Sequence, residues 1–344
     1  MASSINNALW MVWIESLMQA GSRHTFASTL PADRFYCLLD ELPLHLIPRP
    51  SALSLRSSST TGLVLNPECL ILADAQLPPE LSTHPSLVSG FAQGPIAWVR
   101  DEVGNQLPFW LGPELESRVR RLNRNPESRS DLTEENLALL CAAGIVVNPE
   151  REAIQKAKKQ AVWRRAAADF RQKGYVPLPG LIHPFHVASL RRYYRHRIRN
   201  GAIALGDRQS SRRYAAYNDP VARFFHYQIG KVLSIIAGEA LVPSYVYMAS
   251  YLPGAELKKH TDREQCEFSV TLCLDFSPEP VRETPWPIRL DTDSSFVAVF
   301  QCLGDGLAYR GTRLPHYRDM LGEGQTSTSI FFHYVGANFS GPLE

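Results

Sequence analysis

The chain has 344 residues, enough for two domains or for one large domain with an extension. Hydrophobic residues make up 44% and charged residues 20%, and the formal net charge is +2. These values exclude a chain disordered throughout and give no global field aimed at nucleic acid or an anionic membrane. The six cysteines are scattered, with no CxxC pair, which argues against a zinc pattern or a disulfide framework and fits a reducing, cytoplasmic setting.

The opening MASSINNALWMVWIESLMQA lacks a basic leading segment and carries Glu15 inside its apolar stretch, so it does not read as a signal peptide. No run approaches the roughly 18 apolar residues of a membrane helix. Up to about residue 110, short apolar runs alternate with Pro-rich connectors (LPLHLIPRP, LPPELSTHP), and SALSLRSSSTTG at 51–62 reads as a loop. PELESRVRRL and DLTEENLALLCAAGIVV then follow as helical patterns, the second capped by Asp131 or Thr133 and ending at Gly144 before a short strand. Helix followed by strand suggests a winged-helix-like module, with a generic α/β interaction region as the alternative. The expected division is an N-terminal α/β recognition or interaction region over 1–150 and a second domain over 151–344.

The second half opens with a charged, Ala-rich helix over about 150–173, ended by Gly174. YVPLPGLIHP is a strand and turn. HVASLRRYYRHRIRN is a helix stopped at Gly201, and PVARFFHYQIGKVLSIIAG is another with Pro220 near its start. Beyond residue 243 the pattern changes to strands: SYVYMASYL, EFSVTLCLDF, PIRLD, SFVAVFQCL, GLAYRG and TSTSIFFHYV. Alternating aromatic and β-branched residues between Pro/Gly/Asp turns predict an antiparallel sandwich or barrel supported by helices, so the fold class is α+β.

In YLPGAELKKHTD (251–262), His260 and Asp262 stand two apart, which puts them on one face of a strand. His316 follows in LGDGLAYRGTRLPHYRD, just after a Gly-Thr-Arg-Leu-Pro turn. Two imidazoles and one carboxylate can cap one face of an octahedral metal and leave the opposite face open, a donor set suited to Fe(II). Each residue alone is better read as a surface or turn side chain.

With these residues in this order, the sequence resembles the Fe(II)- and 2-oxoglutarate-dependent dioxygenases, in their prolyl-hydroxylase-like branch, over about residues 165–338. FRQKGYVPLPGLIHP is similar to the family's opening strand and turn, YLPGAELKKHTD to its Y-x-x-G…HxD segment, GDGLAYRGTRLPH to the strand delivering the distal His, and TSTSIFFHYV to the closing strand. The resemblance implies a double-stranded β-helix (jelly-roll) core with the metal held by His260, Asp262 and His316. It implies Fe(II), 2-oxoglutarate and O₂, decarboxylation of 2-oxoglutarate to succinate and CO₂, and an Fe(IV)-oxo that hydroxylates an unactivated C–H bond of an amino acid, peptide or small metabolite. Halogenating relatives have a small residue in place of the carboxylate, so Asp262 favours hydroxylation. Desaturation, cyclisation or demethylation on the same iron is an alternative outcome, and a non-catalytic binding module is an alternative function.

The family's usual cation beyond the distal His is missing, because that window here reads GEGQTSTS. Arg318, two residues after His316 on the same strand, is the natural substitute anchor for the 2-oxoglutarate carboxylate, with Ser329 adding a hydroxyl and Arg289 and Arg310 as competitors. Arg318 paired to Asp319 or Glu323 is the structural alternative. Tyr251 lines the co-substrate pocket by the resemblance, while Tyr245 and Tyr247 read as core. The basic run RRYYRHRIRN reads as an exposed helix face balanced by acidic patches, not as a nucleic-acid surface. A narrower expectation is that Arg212, Arg213 or Tyr214 reaches the site mouth to hold an acidic substrate group. Cys266 and Cys273 read as packing residues. The expected partners are a small-molecule or peptide substrate and a partner protein bound through the N-terminal region, with no nucleic acid and no membrane.

Overall fold

Helices start and stop where prolines, short polar side chains and glycines stand in the sequence. In the computed structural model, residues 30–41, 62–74, 76–124, 132–292 and 295–344 are described. The expectations for the first twenty residues, for the connector at 42–50, for most of the loop at 51–62 and for Asp131 as a cap fall outside them. Ala32–Glu344 form one compact unit.

The first half contains strands β1 (Val64–Leu65), β2 (Cys69–Leu72), β3 (Ile96–Arg100) and β4 (Gln106–Trp110), with a short helix α1 (Pro79–Ser82) and then α2 (Pro113–Arg124). Helix α3 (Glu134–Ala142) is capped by Thr133, whose side chain accepts from the Asn136 N–H at 3.1 Å. Strand β5 (Val146–Val147) follows, so the helix-then-strand order holds locally, and β5 pairs with β1. Strands β2, β3 and β4 form a separate antiparallel sheet.

Helix α4 (Pro149–Lys173) takes its N-cap from Asn148 and ends at Gly174, whose φ of 76° is the left-handed cap glycine supplies without strain. The boundary expected between residues 150 and 151 falls inside its first turn. After β6 (Tyr175–Leu178) come α5 (Pro184–Arg199), β7 (Arg213–Tyr217) and α6 (Pro220–Ala237). Asp219 caps α6 by accepting from the Val221 and Ala222 N–H groups. Residues before 150 share an aromatic core with these helices: Phe91 lies 4.9 Å from Phe224, Phe35 lies 5.6 Å from Phe225, and Phe109 stacks on His186 at 4.8 Å. Edge-to-face and offset contacts of this kind add to simple area burial.

The remaining strands are β8 (Leu241–Tyr251), β9 (Leu257–His260), β10 (Phe268–Ser277), β11 (Ile288–Asp291), β12 (Phe296–Val299), β13 (Gly306–Tyr309), β14 (His316–Arg318) and β15 (Thr326–Gly336). They form two antiparallel sheets, one in the order β6-β13-β10-β15-β8-β7 and one in the order β12-β11-β14-β9. Strands β10 and β15, central in the larger sheet, are buried almost throughout, which is why they read as continuous apolar runs interrupted by small polar residues. The fold is therefore mixed helix and antiparallel sheet.

Two elements differ from the sequence reading. Strand β7 lies in RRYAAYN, where the basic residues dominate the pattern and hide the alternation. The basic helix face is only partly solvated: Arg191 and Arg195 of α5 turn inward onto Asp275, Arg192 pairs with Glu41, and Arg197 with Asp219. Their acidic partners lie 22 or more residues away in the sequence, so a local reading sees only the positive charge. Among the described residues, no helix is long and apolar enough to cross a membrane, and no disulfide links the cysteines.

Candidate metal centre and adjoining cavity

Strands β9 and β14 pair antiparallel with His260 directly opposite His316, so the two imidazoles start as cross-strand neighbours. Their ring centroids are 4.4 Å apart. Asp262 is not on the strand, as its spacing from His260 suggested. β9 ends at His260, and Asp262 sits in the following loop with its N–H bonded to the Gly311 carbonyl at 2.9 Å. Asp262 Oδ1 is 3.6 Å from His260 Nε2 and 3.5 Å from His316 Nε2. One ligand atom from each residue lies within 4.8 Å of the others.

Backbone carbonyls fix which nitrogen each ring offers. His260 Nδ1 bonds to the Lys258 carbonyl at 2.7 Å, and His316 Nδ1 to the Leu314 carbonyl at 3.0 Å. A carbonyl only accepts, so both Nδ1 atoms carry the proton and both Nε2 atoms turn toward the Asp262 carboxylate. Burial of Asp262 works against its charge, but the facing imidazoles of His260 and His316 outweigh it and hold the carboxyl well below the usual range. The Asp262 carboxylate facing Nε2 raises the proton affinity of His260, against the opposing effect of burial. A divalent cation there would meet the same negative field.

Behind the carboxylate lies a polar support that the sequence reading missed. Ser269 Oγ is 2.9 Å from Asp262 Oδ2 and 2.9 Å from His333 Nδ1. The ionised carboxylate only accepts, so the hydroxyl donates to it and receives the His333 Nδ1–H. Burial lowers the His333 pKa to about 4, which keeps that ring neutral. Ser269 and His333 face each other in the β10–β15 register. Their sequence signal was period-two polarity inside apolar strands, with Ser269, Thr271 and Cys273 on one and Ser327, Ser329 and His333 on the other. Gly311 completes the support: a Cβ there would lie 2.3 Å from Asp262 Oδ2 and 2.4 Å from the Cys266 carbonyl, so no larger residue fits without displacing the carboxylate.

Arg318, one step deeper on β14, is 3% exposed and donates from its NH1 group to the Trp286 carbonyl at 2.6 Å. Its guanidinium carbon lies 4.7 Å from the centre of the Trp286 ring. Among the described residues its Nε has no hydrogen-bond partner, and neither has the Oγ of Ser329, which is fully buried. Burial without a carboxylate nearby lowers the Arg318 pKa. The competitors are otherwise engaged. Arg289 pairs with Asp319 at 2.6 Å, which also removes Asp319 as a partner for Arg318, and the Arg310 guanidinium lies 5.0 Å from the Phe268 ring.

A cavity of about 1000 Å³ opens on the three metal-type side chains, bounded by residues of both large sheets. Tyr251 lines it, 1% exposed and edge-on to Trp286 at 5.2 Å. Tyr245 and Tyr247, expected in the core, line it as well. Of the three candidates at the mouth, Arg213 lines the cavity but is held by Asp207 at 2.7 Å, and Arg212 turns away to the Pro253 carbonyl. Cys266 reaches the wall with its Sγ 3.0 Å from the Tyr245 hydroxyl, and burial pushes its thiol up to about 12. Lys258 and Lys259 stay exposed, and Lys259 pairs with Asp291.

No family model matches the sequence, and no curated relative matches it. Solved structures of 2-oxoglutarate-dependent oxygenases are similar to about half of the chain. The non-heme alpha-ketoglutarate-dependent epimerase SnoN from nogalamycin biosynthesis is 15% identical, over 52% of this chain and 82% of its own, with a TM-score of 0.44. A Pseudomonas putida prolyl-4-hydroxylase is 18% identical over 50% and 98%, with a TM-score of 0.41. HygX from Streptomyces hygroscopicus, solved with nickel, 2-oxoglutarate and hygromycin B, is 14% identical over 51% and 88%, also at 0.41.

Proposed function

We propose that this chain is a non-haem Fe(II)- and 2-oxoglutarate-dependent oxygenase that hydroxylates an unactivated C–H bond of an amino acid, peptide or small metabolite. The observation that carries the reading is the convergence of His260 Nε2, His316 Nε2 and Asp262 Oδ1, with each Nδ1 tied to a backbone carbonyl. Two neutral imidazoles and one carboxylate held this way fit a hard-to-borderline divalent metal with open positions. Iron bound there, with 2-oxoglutarate and O₂, supplies an oxidant able to attack an unactivated C–H bond.

The chain's own residues have distinct tasks in this reading. Ser269 and Gly311 hold Asp262 so that Oδ1 alone faces the histidines. Arg318 and Ser329 hold the far carboxylate of 2-oxoglutarate. The support is two buried donors left without partners, Arg318 Nε and Ser329 Oγ, since such groups are costly unless a ligand satisfies them. Tyr251 and Trp286 wall that end and exclude water from it. The same reading describes the two large sheets as a double-stranded β-helix over 151–344. It assigns residues 1–150, with their winged-helix-like helix and strand, to substrate or partner recognition in a cytoplasmic setting.

Anaerobic addition of Fe(II) and 2-oxoglutarate should give a weak visible charge-transfer band that His260→Ala abolishes. Absence of the band from the parent chain, together with no succinate formed in air, would overturn the proposal.

A further inference from the structure

The cavity's charged and aromatic groups are arranged unequally. Asp207 is neutralised by Arg213 and accepts from the Tyr247 hydroxyl, and Asp262 belongs to the metal-type cluster. Arg263, also on the lining, has no carboxylate among the described residues within ion-pair distance. Its guanidinium carbon sits 4.5 Å from the Tyr245 ring centre, and its Nε donates to the Tyr245 hydroxyl at 3.3 Å. Stacking and that bond orient the group, and its other neighbours, the Tyr217 hydroxyl and the Cys266 thiol, are neutral, so its charge is left for an oxyanion, which a guanidinium fork can bind bidentately. Glu344, near Tyr217, accepts from Asn218 at 2.9 Å.

The tyrosines that line this cavity with Arg263 and the histidines have hydroxyls already engaged by neighbouring side chains. Tyr245 OH meets Cys266, Tyr247 OH meets Asp207, and Tyr309 OH is 3.3 Å from Thr271. What this wall offers is ring face and edge, with Tyr247 and Phe331 at 6.2 Å and Tyr217 stacked on Tyr245 at 5.1 Å. Aromatic faces alone would also welcome an organic cation, but Arg208 and Arg263 on the same lining oppose one.

We propose that the cavity takes a small substrate carrying a flat ring and one anionic group, the ring seated against Tyr247 and Phe331 and the anion on the Arg263 guanidinium. The proposal rests on the oxygenase reading for the fate of the bound molecule, and on the cavity alone for its binding.

The test is calorimetric titration of the metal-free chain with five probes, with and without saturating 2-oxoglutarate: 3-phenylpropanoate, 3-phenylpropanamide, 3-cyclohexylpropanoate, 3-phenylpropylamine and 2-phenylethyl phosphate. The phenylpropanoate should bind about tenfold more tightly than its amide, as one charge-assisted pair allows. Arg263→Gln, at an exposed position that leaves the fold intact, should erase that preference while keeping the weaker binding of the amide. The cyclohexyl acid should bind severalfold more weakly than the phenyl acid. 2-Phenylethyl phosphate binding better than the carboxylate would assign the seat to a phosphate ester. Equal affinity for acid and amide, tighter binding of the amine, displacement of the acid by 2-oxoglutarate, or no binding of any probe at millimolar concentration each overturns the proposal. None of these titrations contains iron. A missing Fe(II) charge-transfer band would remove the oxygenase reading and leave this binding result standing.

Discussion

Two sets of buried arginines in this molecule have opposite surroundings. Arg191 and Arg195 of α5 close on Asp275 of β10 at 3.0 and 2.7 Å, and Arg191 reaches Glu279 as well. Arg318 of β14 is at least as buried, yet its polar contacts are the Trp286 carbonyl and the face of the Trp286 ring. The first set is complete without a ligand. The second carries a desolvated positive charge with one donor unpaired, a state that costs stability and is relieved when an anion enters. Burial of an arginine therefore does not by itself distinguish structure from function; the presence or absence of a carboxylate does.

Breaking the complete set should have the largest effect. Asp275→Ala removes the carboxylate that Arg191 and Arg195 share, leaving Glu279 for Arg191, and should cost about 3–5 kcal/mol, read as a lower denaturation midpoint. The pH dependence follows from the same residue. Burial opposes ionisation of Asp275, but the charges of Arg191 and Arg195 outweigh it, so its folded pKa lies below its usual value. Its contribution to stability is fully present above the unfolded value of about 3.9 and is lost as pH falls below that toward the folded value. Asp275→Asn should flatten that part of the acid limb.

The incomplete set should respond in the opposite sense. Arg318→Met removes an uncompensated buried charge and keeps much of the volume, so the denaturation midpoint of the ligand-free chain should hold or rise. Binding of 2-oxoglutarate to the metal-loaded protein should weaken about 100-fold, the scale of losing a bidentate charge-assisted contact. A midpoint drop as large as that of Asp275→Ala would show that Arg318 is structural after all and would end the contrast.

The sequence showed one of these arginine sets better than the other. Arg318 was visible because it stands two residues from His316, and strand periodicity carries a side chain of that spacing to the same face. The α5 set was not, because Asp275 is 84 residues from Arg191 and only folding brings β10 against the helix. Helix ends were legible for the same local reason: Thr133 and Gly174 are caps whose effect is complete within a few residues. Asp262 was legible as a residue but not as a geometry. Its position depends on a hydrogen bond to Gly311 and on Ser269, both supplied by other strands. Tyr245 and Tyr247 were misread as core because alternation says which side of a sheet a residue faces, not whether that side is filled.

A smaller effect is expected one step behind the metal-type cluster, where the contrast between complete and incomplete partners recurs. Ser269 is fully engaged between Asp262 and His333, so Ser269→Ala should leave Asp262 free to rotate. Fe(II) affinity should fall about 10- to 100-fold, as is usual when the group orienting a metal ligand is lost. Competition with a coloured chelator measures it.

Ser329 gives the finest test, because it pairs the incomplete condition with a neutral group. Its Oγ is buried and unpartnered in the ligand-free chain, so Ser329→Ala removes an unsatisfied hydroxyl at little cost and stability should be unchanged or slightly higher. If the hydroxyl donates to the same carboxylate as Arg318, the variant should bind 2-oxoglutarate about five- to tenfold more weakly, the value of one hydrogen bond to a charged acceptor. Titration of the charge-transfer band reads that shift directly. Combining Ser329→Ala with Arg318→Met should then add less than the two single losses, because two donors that share one acceptor are coupled. Full additivity would separate the two groups and leave Ser329 as a packing residue on β15.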